Sequence, residues 1–159
     1  MVNAKFSLPV TGGCRCGAIK YRVTQTPAFT FACHCTDCQH LSASAFGLGM
    51  AVKEAGFEIT HGEPSRWTKT GSSGKPSHQF HCPTCGVWTH TVPESVGGMV
   101  VVRPATLDDH AWVRPVAEIY TRSALPWARL AVPLSYEAEF DDPTPIAAVF
   151  AASGIAPGG

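Results

Sequence analysis

The seven cysteines of this chain fall into three short groups. "GGCRCG" carries Cys14 and Cys16, "CHCTDC" carries Cys33, Cys35 and Cys38, and "CPTCG" carries Cys82 and Cys85. No cysteine follows residue 85. Partners at Cys-x-Cys and Cys-x-x-Cys spacing are too close for easy internal bridges, and an odd count would leave one thiol over, so a disulfide framework fits poorly. The same spacings suit tetrahedral coordination of zinc or a similar metal. Any fold open to this chain must bring turns that are far apart in sequence to one point.

The first and third groups each offer a pair, and a closed zinc site commonly takes two pairs from two turns. Each pair is followed directly by glycine, Gly17 and Gly86. Glycine reaches positive φ without penalty, which lets the chain curl so that backbone N–H groups face the sulfurs. Cys14, Cys16, Cys82 and Cys85 are therefore assigned to one structural zinc. The tie closes a loop of more than sixty residues, so its binding energy becomes folding energy.

The middle group stops at three. In an extended segment residues i and i+2 face one side, so Cys33 and Cys35 point together. A turn through Thr36 and Asp37 returns Cys38 to the same point. Three protein ligands and a vacant fourth position distinguish catalytic zinc from structural zinc, so Cys33, Cys35 and Cys38 are the candidate catalytic residues and ligands of a second zinc. Three thiolates on a divalent ion leave a net charge of about −1, which weakens water activation and favours sulfur substrates. Closure as a Cys3His site by His34 or His40 is the alternative. Extended geometry turns His34 away, and His40 is harder to dismiss. His81, next to Cys82, is a candidate for contact with the ligands rather than for ligation.

Strand patterns fill most of the rest. "AIKYRV" alternates, with Ile19, Tyr21 and Val23 on one face. "FTFAC", "FGLGMAV", "FEITHG", "SRWTKT", "MVVV" and "AEIYT" read as strands, and "HQFHC" with "VWTHTV" as a hairpin built across the third group. "DCQHLSA" reads as one or two helical turns. Fifteen glycines and thirteen prolines punctuate the chain as in small all-β folds. The 159 residues suit a single domain over 1–140, followed by a Pro/Ala/Gly-rich tail over 141–159 with "IAAVFAA" as a short helix. Twelve Lys and Arg balance twelve Asp and Glu, which argues against a nucleic-acid partner. No apolar run is long enough to span a membrane and no secretory leader is visible, so the expected location is the cytoplasm. There, clustered thiols stay reduced and more often bind metal.

Together, "GGCRCGAIKY", "CHCTDCQHLSASAF", "GKPSHQFHCPTCGVWTH" and "AEIYTRSALPW" resemble the glutathione-dependent formaldehyde-activating enzyme family, also called the Gfa or centromere-protein-V domain family, from about Gly12 to Trp127. The resemblance implies a mainly β, Mss4-like fold with zinc knuckles and little helix. It implies a structural zinc on Cys14, Cys16, Cys82 and Cys85 and a more exposed zinc on Cys33, Cys35 and Cys38. It further implies a carbon–sulfur lyase that reversibly joins a small-molecule thiol, glutathione, with an aldehyde, formaldehyde. Arg122, Arg129, Lys53 and Arg66 are the cations available for the thiol's carboxylates, and Trp127 is a candidate pocket wall. Two other readings stand beside this one. One is a non-catalytic zinc module that binds a protein partner. The other is a redox enzyme of the methionine sulfoxide reductase kind, which would need a free cysteine that the groups leave unsupplied.

Overall fold

The computed structural model describes residues 5–157. The described residues begin with β1 (Lys5–Phe6) and β2 (Val10–Gly13), and β2 turns through the first cysteine pair into β3 (Lys20–Val23). The alternation of "AIKYRV" is realised: Ile19, Tyr21 and Val23 are buried while Lys20 and Arg22 are exposed. β4 (Phe29–Cys33) is buried at every position, as expected of a strand covered on both faces. It runs into α1 (Thr36–Ser42), then β5 (Gly47–Lys53), β6 (Phe57–His61) and β7 (Ser65–Thr70). β8 (Pro76–His81) and β9 (Trp88–Pro93) form the hairpin across the third cysteine group. β10 (Met99–Val102), β11 (Ala117–Ile119), β12 (Leu134–Ser135), α2 (Thr144–Ala152) and β13 (Ala156–Pro157) complete the described residues.

The fold is mainly β, with two short α-helices among the described residues. Its main sheet has eight strands in the order β12-β11-β4-β5-β10-β9-β8-β7. A second sheet holds β2-β3-β6, and β1 pairs with β13. Most neighbours are antiparallel, but β11 runs parallel to both β4 and β12. Ile119 is the register partner of Cys33, so β4 and β11 end side by side and release their following loops at the same place.

Tyr21, Val23, Phe29, Met50, Val52 and Val102 form one apolar core between the sheets. α2 closes it from the chain's far end, with Ile146 at 0% and Phe150 at 2% exposure. Burying two such side chains stabilises the fold by about 3–6 kcal/mol before chain entropy is counted. Among the described residues no helix is long and apolar enough to cross a membrane.

Candidate functional site

Cys14 lies just past β2, and Cys82 just past β8. At the first turn the Gly17 N–H donates to Cys14 O (3.1 Å) and the Ile19 N–H donates to Cys14 Sγ (3.2 Å). At the second the Gly86 N–H donates to Cys82 O (2.9 Å) and the Cys85 N–H donates to Cys82 Sγ (3.4 Å). Gly17 has φ 80° and Gly86 φ 74°, values that a side chain would make strained. The turns are thus built alike, and the four sulfurs converge within 4.8 Å of one another. Cys14 Sγ lies 3.5 Å from Cys16 Sγ, and Cys16 Sγ lies 3.7 Å from Cys82 Sγ. A tetrahedron with metal–sulfur bonds of about 2.3 Å has edges of roughly 3.8 Å. The donor set and its spacing fit a zinc ion. The Val87 backbone holds the Cys85 thiol down at about 6, towards the thiolate a metal requires.

Cys33, Cys35 and Cys38 also bring their sulfurs within 4.8 Å of one another. Cys33 is the last residue of β4, and Cys35 is the N-cap of α1, its Sγ accepting from the Cys38 N–H at 3.3 Å. Hydrogen bonds from Cys33 and Cys38 pull the Cys35 thiol far down, to about 2, and the same sharing raises Cys33. For Cys38 the bond with Cys33 lowers the value, while the contact with Cys35 and burial raise it to about 11. Three thiols crowded so closely favour a shared cation. Gly47 sits against this cup: a Cβ there would lie 3.2 Å from Cys38 Cβ and 3.6 Å from the Trp88 ring.

His34 points away from the cup, as the extended geometry predicts. It is fully buried, with Nε2 3.1 Å from Glu118 Oε2 and its ring 5.4 Å from that of Phe46. Glu118 is buried too, and gathers donors from Arg129 (2.6 and 2.8 Å), Ser135 Oγ (2.8 Å) and the Leu130 N–H (3.1 Å). Burial raises its pKa, but the Arg129, Leu130 and Ser135 hydrogen bonds prevail and hold it at about 2. His40 Nδ1 lies 2.7 Å from Thr36 O on exposed α1 and is outside both sulfur clusters. Gln39 Nε2 donates to His34 O (2.7 Å) and Ser123 O (3.0 Å), fastening the cup to the 3-10 turn Thr121–Ser123.

Cys35 and Cys38 open onto a cavity of 320 Å³, which falls within the size range of small-ligand sites. Its walls carry Lys69, Lys75, Arg103 and Arg122 against Asp37 and Glu139. Lys69 is paired with Asp37. Tyr120 also lines the cavity, with Oη 2.6 Å from Ser72 Oγ and 3.4 Å from Glu139 Oε2. Its φ of 56° is unusual for a residue with a side chain and ends β11 abruptly where "AEIYT" reads as continuous strand.

Of the cations offered by the sequence reading, Arg122 lines this cavity. Arg129 is engaged with Glu118 instead, and Lys53 and Arg66 stand outside the lining. Trp127 is 79% exposed and forms no part of the wall. Sequence reading passes over Lys69, Lys75 and Arg103. Two signals point to them in retrospect: "KTGSSGK" puts a lysine at each end of a Gly/Ser-rich hairpin tip, and Arg103 is a lone charge ending the apolar run "MVVV".

A family model described as glutathione-dependent formaldehyde-activating enzyme matches residues 9–123, a span that contains every cysteine of both clusters. A crystal structure of a Rhodobacter sphaeroides protein is similar at a TM-score of 0.52 and 21% identity, covering 66% of this chain and 91% of that one. That likeness bears on the fold.

Proposed function

The chain belongs to the glutathione-dependent formaldehyde-activating enzyme family, and from that premise we propose that it is a zinc-dependent carbon–sulfur lyase. It joins a small-molecule thiol, glutathione or a near relative, with formaldehyde or another small aldehyde, and reverses the step. The observation that carries this reading is the three-sulfur cup opening onto a cation-lined cavity. The four-cysteine cluster is read as a purely structural zinc site, and Cys33, Cys35 and Cys38 as the ligands at the reacting centre.

A zinc ion in the cup would supply a soft Lewis acid with room for one thiolate sulfur. The remaining work falls to the chain. Lys75 and Arg122 stand on the cavity wall without an ion-pair partner among the described residues, and are suited to the carboxylates of the thiol. Holding the thiol by these carboxylates fixes its sulfur at the cup, which turns an encounter in solution into an oriented one. In the reaction the sulfur loses its proton and bonds to the carbonyl carbon. The C=O π pair moves to oxygen, which takes up a proton, and nothing is oxidised or reduced. Tyr120, which lines the same cavity, is assigned to pass that proton. Burial raises its pKa, so it remains a neutral donor. Cytoplasmic location is part of the proposal, because both clusters need reduced thiols.

Two-dimensional exchange NMR between formaldehyde and S-hydroxymethylglutathione tests the reading, with zinc-replete protein and Cys38→Ser as control. Acceleration that vanishes in the control is the expected result. A rate equal to that without protein would overturn the lyase and favour the non-catalytic binding module.

A further inference from the structure

Arg103 is 9% exposed, yet it forms no ion pair with any carboxylate among the described residues. Its Nη1 donates to Leu48 O (3.0 Å) and its Nη2 to Thr91 Oγ1 (3.3 Å), both uncharged acceptors. Nε is buried with no partner. The guanidinium lies 3.8 Å from the centre of the Trp88 ring. A cation buried in this way is expensive unless a negative charge faces it. Arg103 borders the same cavity as Cys35 and Cys38, and Gly47 brings Cys38 and Trp88 against one point of backbone. Burial pushes its pKa down, and the groups that offset this are Cys38, Cys33 and Cys35, with no carboxylate among them. Three thiolates around a divalent ion carry about one negative charge in excess, which matches the single charge of the guanidinium.

We infer that Arg103 is the built-in counter-cation of the three-sulfur cup: its permanent charge lets Cys33, Cys35 and Cys38 hold a divalent metal and still admit a fourth, anionic thiolate. The second half of this statement rests on the proposed lyase reading; the first half does not. Arginine suits the task because it stays charged when buried and stacks on an aromatic face, where lysine would be more strongly hydrated. Arg103 is thus a positioning residue for charge at the site, acting through the cup.

Cobalt(II) titration of the full chain tests both halves, since sulfur-to-cobalt absorption reports how many thiolates surround each ion. Arg103→Met and Arg103→Gln both remove the charge, and the second keeps amide donors for Leu48 O and Thr91. Arg103→Lys keeps the charge. Both neutral variants should weaken cobalt binding at the cup by roughly tenfold or more, while Arg103→Lys stays closer to wild type. The four-cysteine site should fill as in wild type throughout, which also certifies folding. Added glutathione should strengthen the charge-transfer band of wild type as a fourth thiolate joins, and the neutral variants should need at least tenfold more of it. Unchanged cobalt affinity at the cup in a folded neutral variant overturns the inference. Arg103-dependent cobalt affinity with no response to glutathione in wild type overturns the thiol half, and with it the lyase reading, while supporting the counter-cation.

Discussion

Replacing Glu118 by Gln should both destabilise the protein and loosen the three-sulfur cup. The carboxylate is 1% exposed and accepts from Arg129, Leu130 and Ser135 while facing His34. Its pKa falls from 4.5 to about 2 on folding, which corresponds to about 3 kcal/mol at 1.36 kcal/mol per unit. Arg129 is half exposed, so solvent screening reduces this to about 2 kcal/mol. Gln also turns one acceptor into a donor aimed at other donors, which brings the expected loss to about 3 kcal/mol. For a chain of this size the midpoint should drop by roughly 6–12 °C. A depressed carboxylate contributes stability that is complete above its unfolded pKa and fades as pH falls through the folded one. The gap between wild type and Glu118→Gln should therefore be constant above about pH 4.5 and narrow as pH approaches 2. Because His34 sits between two cup cysteines, the variant should also release cobalt from the cup before the four-cysteine site. Urea denaturation across pH, with cobalt spectra, measures all of this. A variant within about 0.5 kcal/mol of wild type at pH 7, with its cup affinity intact, would refute the reasoning.

Two further outcomes are expected. Phe150→Ala should cost about 3–4 kcal/mol in denaturant unfolding, because Phe150 is 2% exposed in the main core; a loss below about 1 kcal/mol would mean α2 is not part of the cooperative unit. Cys82→Ser should remove the tie between the two sulfur turns and leave a chain that no longer unfolds in one zinc-dependent transition, whereas a sharp, chelator-insensitive melt would show the four-cysteine cluster to be dispensable.

The parts of this molecule readable from sequence are those set by neighbours in the chain. Cysteine spacing foretold both sulfur clusters, with trailing glycines marking the four-cysteine one, and β7 coincides with "SRWTKT" because turn residues bound it on both sides. Period-2 alternation placed Ile19, Tyr21 and Val23 correctly inside. The cation wall was harder, because it depends on which long-range partner each charge finds. Arg129 looks as free as Arg122 in sequence, but β11 carries a buried Glu118 to it. Lys69 and Lys75 reach the cavity only because a hairpin tip folds towards α1. The two-residue strands β1, β12 and β13 leave no periodic trace, since their pairing is decided by partners elsewhere in the fold.

The parallel course of β4 and β11 has a consequence for how such a protein can diversify. Two strands that end together release two separate segments over one opening. One, after Cys33, carries Cys35 and Cys38; the other, after Ile119, carries Tyr120, Arg122 and Ser123. Gln39 joins them through backbone carbonyls, His34 O and Ser123 O, and these remain whatever side chains stand there. The second segment can therefore change its side chains, and with them the lining of the opening, without disturbing the sulfur-bearing segment. Under the proposed function, the range of thiols or aldehydes admitted and the chemistry that serves them are separately heritable in this scaffold.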